Sequence, residues 1–470
     1  TRQQILNAGI HGVCYSPSTP GTVGAGDFFD QYLVRLWGDE GTITDYKTIY
    51  GQHCICPDLS NIPSTLSDED DCTDNSGTLP EYGYIPFSDK PAYCIRTDLN
   101  NIKKLGFNAV SLYGGNTTTK STVFIKQCRD YKLNIFYPIL CWYGDEQPYV
   151  NLYDDTGKSL EEIVDTGIVQ VQNIINPLDT DVLDGSWCTN NTKTFDYNFQ
   201  GLIDPDKKIY ENIIALSFAV EMNIQLQNLV PYSEAEETIK TWIERLAGII
   251  VGVEKYLVEK EYVSGNPIFY TTPLAAITYV DPENPPSGWD GGTGNDYPYC
   301  AGYIYAYLIY YLHTNCPNVK WDERIIISVN PYGPKTVHNM DPNNTTPDQG
   351  YSTLANDYSY ALNLLQVDDE YPYLHIDKFN TVYTEYNGSG QTPQDALDNG
   401  YIESLTDDTK YDFWYSAKFT ELEDTMKAIK ILMSEDEACV KGGFFFEYSD
   451  DVQLDLGLFK RFGLYSFVDG

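Results

Sequence analysis

Eight short apolar segments recur along this chain, with helical patterns in most of the intervals between them. The segments begin near residues 10, 108, 133, 213, 267, 324, 379 and 442. Short runs rich in β-branched and aromatic residues are typical of buried strands. Alternating strands and helices form a parallel sheet, and eight such units close into a barrel. The sequence therefore predicts an α/β protein, folded as a (β/α)8 TIM barrel.

The helical spacing of apolar residues predicts the helices of this barrel. Predicted helices cover residues 93–105, 122–131, 234–259, 303–313 and 419–433. The longest of them has a single apolar stripe, formed by Ile239, Ile243, Leu246, Ile250 and Val253. Residues on one stripe of a helix face the same neighbour, so this helix is expected to bury that side.

Two long segments interrupt the alternation. Residues 22–90 are rich in Asp, Ser, Pro and Gly and surround Cys54, Cys56 and Cys72, and residues 143–205 carry Cys188. Segments of this composition do not bury a core of their own. We interpret both as long cysteine-bearing βα-loop insertions in one barrel domain that covers residues 1–470. We expect no second domain, appended binding module or membrane anchor.

The charge balance excludes several classes of partner. The chain has 68 Asp and Glu against 30 Lys and Arg, for a net charge of −38. A phosphate backbone or an anionic membrane surface would repel such a chain, so nucleic acid is not an expected partner. No run of about 18 apolar residues occurs, so we expect no membrane insertion.

The cysteines favour disulfides over a metal site. The eleven cysteines are scattered, without a Cys-x-x-Cys pair, and the chain has five histidines. A structural zinc site is therefore not expected, nor is any cofactor. Disulfides form in an oxidising compartment, and an odd count leaves at least one thiol free or paired with another chain.

Other features point to secretion. The chain begins at Thr1 without Met or an apolar leader, which we interpret as a processed chain. Five Asn-x-Ser/Thr sequons predict N-glycosylation at Asn116, Asn190, Asn343, Asn344 and Asn387. We expect an extracellular protein that is secreted or associated with the cell surface or wall.

Two of the predicted strands end on a glutamate. Glu385 follows the run 379–383 and precedes the turn cluster 387–390, and Glu221 follows the run 213–220. A (β/α)8 barrel presents its catalytic groups at the carboxyl ends of its strands. Two carboxyl groups about 5 Å apart are what a retaining glycosidase requires. For Glu385 alone, an edge-strand side chain facing solvent is the alternative interpretation.

Several further stretches carry a family resemblance. They are Gly12-Val-Cys-Tyr-Ser-Pro17, the segment 94–113, Gly265-Asn-Pro-Ile-Phe-Tyr270, Val329-Asn-Pro-Tyr332, Val382-Tyr-Thr-Glu-Tyr386 and Gly442-Gly-Phe-Phe-Phe-Glu-Tyr-Ser449. Their order and spacing resemble the clan-A retaining β-glycosidases, whose catalytic glutamates lie on the fourth and seventh strands. Within that clan the chain resembles the fungal β-1,3-glucanosyltransferases of glycoside hydrolase family 72, with the β-1,3-glucanases of family 17 next.

The resemblance implies roles for individual residues. It makes Glu385 the nucleophile and Glu221 the acid/base. It implies that Tyr332 hydrogen-bonds the nucleophile, and that sugar-site residues include Asn330, Tyr113 and Glu447. It also implies a disulfide between Cys94 and Cys128.

One position departs from the family pattern. The family has Asn directly before the acid/base, where its amide binds the sugar 2-hydroxyl, and this chain has Val220. Hydrogen bonds to the 2-hydroxyl strengthen in the transition state, so their loss slows the reaction. Asn223 is the candidate substitute. An apolar neighbour also raises the pKa of a carboxyl group, which suits a general acid.

Two functions remain open from the sequence. The first is an extracellular retaining enzyme that cleaves or transfers β-glucan or another cell-wall polysaccharide. Aromatic residues would then stack on sugars, although core packing is the alternative for each: Tyr113, Trp142, Tyr143, Trp187, Trp289, Tyr332 and Trp414. The second is an inactive barrel that serves as a structural or sugar-binding surface glycoprotein, with self-assembly or an interchain disulfide. The acidic clusters near residues 68–71 and 450–451 lack EF-hand spacing and are expected to be solvated loops.

Overall fold

The computed structural model describes about half of the chain. It covers residues 1–15, 99–112, 125, 128–140, 157–176, 201–229, 234–276, 297–331, 351–366, 375–386, 422–435 and 439–446. Of the two predicted insertions, the segment 22–90 lies wholly outside these residues, and the segment 143–205 lies partly outside them.

All strands run parallel in one sheet. The strands are β1 (Ile10–Cys14), β2 (Ala109–Ser111), β3 (Asn134–Leu140), β4 (Ile213–Phe218), β5 (Phe269–Thr271), β6 (Leu274–Ala275), β7 (Ile326–Asn330), β8 (Asn380–Tyr386) and β9 (Val440–Phe445). Their order in the sheet is β5-β4-β3-β2-β1-β9-β8-β7-β6. Each of the eight predicted strands is therefore present, and the fifth is divided into β5 and β6.

The sheet closes on itself at this divided strand. β5 pairs with β4 through Leu216 and Tyr270, whereas β6 pairs with β7 through Leu274 and Val329. The Tyr270 amide also donates to the Arg324 carbonyl at 2.8 Å, next to the start of β7. Since β5 and β6 occupy one strand position, the two ends of the sheet meet. The protein is a (β/α)8 TIM barrel, as predicted.

Helices cover the outside of the barrel and, in the case of the first helix, its amino-terminal end. They are α1 (Arg2–Ala8), α2 (Leu160–Ile175), α3 (Met222–Leu229), α4 (Ala235–Glu259), α5 (Ala301–Asn315) and α6 (Tyr351–Leu364). Residues 99–104, 128–130 and 422–434 are also helical. The predicted helix 234–259 is confirmed as α4, and 303–313 lies inside α5. None of the helices within the described ranges is long and apolar enough to cross a membrane.

The interpretation of residues 143–205 as an insertion was wrong in part, because α2 lies within them and belongs to the helical layer. α2 packs on α4 at two glycines of α4 that lie one turn apart. A Cβ atom on Gly248 would come within 2.8 Å of Val164, and one on Gly252 within 2.1 Å of Ile168. The missing side chains therefore let the two helices approach closely.

The core has two parts. One lies inside the barrel and includes Ile10, Phe136, Ile214, Val382 and Phe444. The other lies between the sheet and the helices. Alternate residues of a strand face opposite sides of a sheet, so each strand except the two-residue β6 contributes to both parts of the core.

Helix α1 closes the amino-terminal end of the barrel. Its Leu6 is fully buried in the interior cluster. The Arg2 guanidinium is buried as well and donates to the carbonyls of Ile209 and Tyr210 at 3.0 Å each, and to those of Ile213 and Asn266. Burial lowers the pKa of Arg2 to about 10. One charged side chain thus ties α1 to the segments that lead into β4 and β5.

The structure describes one of the two cysteines of the predicted Cys94–Cys128 disulfide. Cys128 is a buried free thiol in this structure, and burial raises its pKa well above the usual value. Cys94 lies outside the described residues. The Cys94–Cys128 disulfide therefore stays a prediction.

Candidate active site

Glu385 lies in a β-bulge at the carboxyl end of β8. Tyr383 pairs with Gly443 and Tyr386 pairs with Phe445, so Thr384 and Glu385 lie opposite one residue of β9. Tyr383 and Tyr386 both pack in the outer cluster although they are three residues apart. One alternation is therefore lost between them, and the bulge turns both Thr384 and Glu385 to the inner face. The Glu385 side chain is buried.

Glu221 lies in a strained turn after β4. The strand ends at Phe218, and α3 begins at Met222. Between them, Ala219 has a φ of 50° and Glu221 a φ of 54°, both in the left-handed region. For a residue other than glycine this backbone conformation costs about 1 kcal/mol or more, and it persists only where surrounding contacts hold it.

The fifth barrel strand supplies these contacts. The Glu221 amide donates to the Pro273 carbonyl at 2.8 Å, and the Thr272 hydroxyl donates to the Ala219 carbonyl at 3.4 Å. Thr272 and Pro273 are the two residues between β5 and β6. The break in the fifth strand and the strained turn at Glu221 are thus one structural feature.

Asn330 connects the two glutamate-bearing segments. Its Nδ2 donates to Glu221 Oε1 at 3.0 Å, and its Oδ1 accepts from the Thr384 hydroxyl at 2.7 Å. Asn330 and Thr384 are each 2% exposed, so the hydrogen bond between them is shielded from water. Two side-chain hydrogen bonds therefore join Glu221 to Thr384, the residue before Glu385, and both glutamates lie at the carboxyl end of the barrel strands.

Burial dominates the electrostatics of Glu221. Removal of its carboxyl from water raises the pKa above 4.5, and the hydrogen bond from Asn330 opposes this rise without cancelling it. A carboxyl with a raised pKa retains its proton to higher pH, as a general acid requires.

Tyr305 of α5 holds the divided strand together. Its hydroxyl donates to the Thr272 carbonyl at 2.7 Å and accepts from the Ser328 amide at 2.8 Å. It therefore takes the place of a backbone hydrogen bond between the fifth and sixth barrel strands. Burial raises the pKa of Tyr305 to about 12. The aromatic pattern of α5 predicted a helix but gave no signal for this contact.

Asn223 does not replace the amide that Val220 lacks. Its Nδ2 donates to the carbonyls of Ala275 at 2.9 Å and Tyr299 at 3.0 Å, and its Oδ1 accepts from the Ala275 amide at 3.0 Å. The side chain is fully buried. The prediction that Asn223 binds substrate was therefore wrong, because both donor hydrogens are used to fix α3 to β6 and to the turn before α5.

Other predicted site residues lie outside the described residues. They are Tyr332, Tyr113, Glu447, the sequons at Asn116, Asn190, Asn343, Asn344 and Asn387, and Trp142, Tyr143, Trp187, Trp289 and Trp414. Their roles stay predictions. Within the described ranges no group of three or more His, Cys, Asp or Glu side chains is arranged to hold a metal ion.

No protein-family model matches this chain, and no curated protein matches its sequence. Solved structures do show similarity. The exo-β-1,4-mannosidase Op5Man5 from Opitutaceae bacterium strain TAV5 is 12% identical with a TM-score of 0.38, over 80% of this chain and 52% of the mannosidase. The family 1 β-glucosidase from Thermotoga maritima is 12% identical with a TM-score of 0.39, over 79% of this chain and 80% of the glucosidase.

A third similar structure is Saccharomyces cerevisiae Gas2p in complex with laminaritetraose and laminaripentaose. It is 12% identical with a TM-score of 0.33, over 80% of this chain and 54% of Gas2p. This chain thus spans about half the length of the mannosidase and of Gas2p. At these TM-scores, the barrel assignment rests on the strand order and closure of the sheet, and the chemistry rests on the site residues.

Proposed function

We propose that this protein is a retaining β-glycosidase or transglycosylase that acts on β-glucan, with β-1,3-glucan as the first candidate. The observation that carries the proposal is the state of Glu221. It is a partly buried carboxyl with a raised pKa, held in a strained backbone turn and hydrogen-bonded to Asn330. Strained residues and perturbed carboxyls cluster at catalytic sites.

The second carboxyl completes the proposed reaction. In the first step Glu385 attacks the anomeric carbon, and Glu221 gives its proton to the departing glycosidic oxygen. This leaves a covalent glycosyl–enzyme and an ionised Glu221. In the second step Glu221 removes a proton from water or from a sugar hydroxyl, which attacks the anomeric carbon and releases Glu385. Attack by water is hydrolysis, and attack by a sugar hydroxyl is transfer.

A second candidate function is supported by a different observation. Val220 offers no side-chain donor to a sugar 2-hydroxyl, and the Asn223 amide is fully engaged inside the protein. A barrel without this donor would suit a sugar-binding or structural surface protein. That protein would retain the fold and the paired glutamates with little or no turnover.

Product analysis distinguishes the two candidates. The purified protein is incubated with reduced laminari-oligosaccharides across a range of pH, and products are followed by mass spectrometry. Glu385→Gln and Glu221→Gln test the proposed site, and Glu259→Gln at an exposed position of α4 is the matched control. We expect longer or shorter products with the native chain and Glu259→Gln only. Oligosaccharide binding without turnover in any of the four proteins would favour the second candidate.

An extracellular or cell-surface location of the protein is also a proposal. It rests on the sequons and cysteines of the sequence. Peptide mapping of native material would test it through glycans at Asn116, Asn190, Asn343, Asn344 and Asn387 and through a Cys94–Cys128 cross-link. Unmodified asparagines together with fully reduced cysteines would contradict an extracellular location.

A further inference from the structure

The side chains of Thr384, Asn330 and Glu221 form a chain with a defined donor order. The Thr384 hydroxyl donates to Asn330 Oδ1, and Asn330 Nδ2 donates to Glu221 Oε1. Thr384 directly precedes Glu385, so the order begins beside the proposed nucleophile and ends on the proposed acid/base.

The orientation of the Asn330 amide matters because its two ends have opposite effects on Glu221. An N–H that points at the carboxyl donates to the ionised form and stabilises it. A carbonyl oxygen in the same place would instead accept the carboxylic proton and stabilise the neutral form. The carbonyl would also draw that proton towards Asn330, away from a bound substrate.

Thr384 favours the observed orientation. Its hydroxyl proton is buried, and Asn330 Oδ1 is the acceptor that the structure gives it. Rotation of the amide by half a turn would place Nδ2 against Thr384 and leave the hydroxyl proton without this acceptor. A buried donor without an acceptor is strongly disfavoured. The hydroxyl therefore selects one of two amide orientations of similar shape.

We propose that Thr384 is a positioning residue, which locks the Asn330 amide with its nitrogen towards Glu221 and thereby keeps the Glu221 proton on the carboxyl oxygen that faces the substrate. No proton passes through Asn330. The proposal rests on the function proposed for Glu221 and adds a residue to it.

Other titratable groups lie on the elements packed around this chain of side chains. They are Glu385 and Tyr386 on β8, Cys14 on β1, Tyr299 in the turn before α5, and Tyr305 on α5. The Cys14 thiol donates to the Thr384 carbonyl at 3.4 Å, and burial raises the pKa of both Tyr305 and Tyr386, so these phenols stay neutral. Among the described residues, the causes of the Glu221 shift are burial and the Asn330 hydrogen bond.

Two substitutions of Thr384 test whether its hydroxyl fixes the orientation of the Asn330 amide, an effect called the lock below. Thr384→Val has a similar shape but no hydroxyl, whereas Thr384→Ser keeps the hydroxyl. Thr381→Val is the matched control, because Thr381 is buried on the same strand and its hydroxyl has no hydrogen-bond partner among the described residues. Each protein is assayed for kcat and kcat/KM across pH on laminari-oligosaccharides.

We expect Thr384→Val to lower kcat and to move the basic limb of the kcat/KM profile upward by about one pH unit, a tenfold change in proton affinity. Thr384→Ser and Thr381→Val should keep the native profile. Equal shifts in Thr384→Val and Thr384→Ser would overturn the proposal, because packing would then explain them. An unshifted profile in Thr384→Val would overturn it as well.

A second readout does not depend on activity. The difference in unfolding free energy between the parent and Glu221→Gln is measured across pH, with and without Thr384→Val. We expect the pH at which this difference changes to be higher when the hydroxyl is absent. An unchanged pH dependence would refute the lock even in an active enzyme. A shift in a protein without turnover would support the lock and reject the proposed function.

Discussion

The Tyr305 hydroxyl offers the sharpest test of how the barrel holds the site. Tyr305→Phe removes one oxygen and leaves the ring in place. The Ser328 amide then loses its acceptor at 2.8 Å, and the Thr272 carbonyl loses its donor at 2.7 Å. Each buried backbone group left without a partner costs about 1–3 kcal/mol, so the substitution should lower the free energy of unfolding by about 2–6 kcal/mol. The free energy of unfolding of a native domain is about 5–15 kcal/mol in total, so this loss would be readily measured.

The assay is urea unfolding followed by tryptophan fluorescence, because Trp242 and Trp321 are fully buried. Tyr210→Phe is the matched control, since the Tyr210 hydroxyl is buried without a hydrogen-bond partner among the described residues. Removal of that hydroxyl should leave the midpoint unchanged or raise it. The reasoning would be refuted if Tyr305→Phe were no less stable than Tyr210→Phe.

Three further predictions concern stability. The folded-state pKa of Glu221 is raised, so the contribution of this carboxyl to stability is full below about pH 4.5 and is lost as the pH rises through the folded pKa. In urea unfolding, the parent should therefore lose stability relative to Glu221→Gln over that pH window. A difference that stays constant with pH would contradict this prediction. Arg2→Met should lower the free energy of unfolding by about 3 kcal/mol or more, because it leaves several buried carbonyls without donors, and calorimetry showing an unchanged Tm would contradict this role. Gly302→Ala should lower the free energy of unfolding by about 1–3 kcal/mol, because the added Cβ would lie 2.3 Å from the Leu354 carbonyl oxygen. The comparison is Ala301→Gly, which lies at the same helix start and adds no atom. Equal urea midpoints for the two variants would contradict the steric argument.

The strands were predictable from sequence because their signal is local. Runs such as Ile213–Phe218 and Ile326–Asn330 are buried on both faces of a parallel sheet and are therefore mostly apolar, with Ser217, Ser328 and Asn330 as the polar exceptions. The carboxyl-end positions of Glu221 and Glu385 follow from the same pattern, since a barrel gathers these ends on one face.

Features that depend on tertiary contacts were not predictable. Ala219 and Glu221 adopt left-handed conformations without a glycine to mark them, since contacts from Thr272 and Pro273, about fifty residues away, hold the turn. The sequence interpretation ended the seventh predicted strand before Glu385, whereas the residue lies inside β8, in a bulge defined by its register with β9.

Two of the helices that the sequence analysis did not predict, α6 and α2, have a different explanation. α6 begins Tyr351-Ser-Thr and includes Asn356 and Asp357, which are weak helix formers. α2 lies in a segment whose cysteine and sequon favoured a loop, although Ser159 and Glu162 form a capping box at its start. That capping pattern was the signal in the sequence that could have identified the helix.

The central claim is that Glu385 attacks sugar at the anomeric carbon with Glu221 as its acid/base. The most direct measurement is covalent trapping with 2-deoxy-2-fluoro-β-glucosyl fluoride, whose fluoride departs without a general acid and whose fluorine slows release of the glycosyl–enzyme. Peptide mass spectrometry of the parent and of Glu221→Gln should show the fluoroglucosyl adduct on Glu385, and none in Glu385→Gln. An adduct on a different residue, or none in any variant under conditions where laminari-oligosaccharides are turned over, would contradict the account.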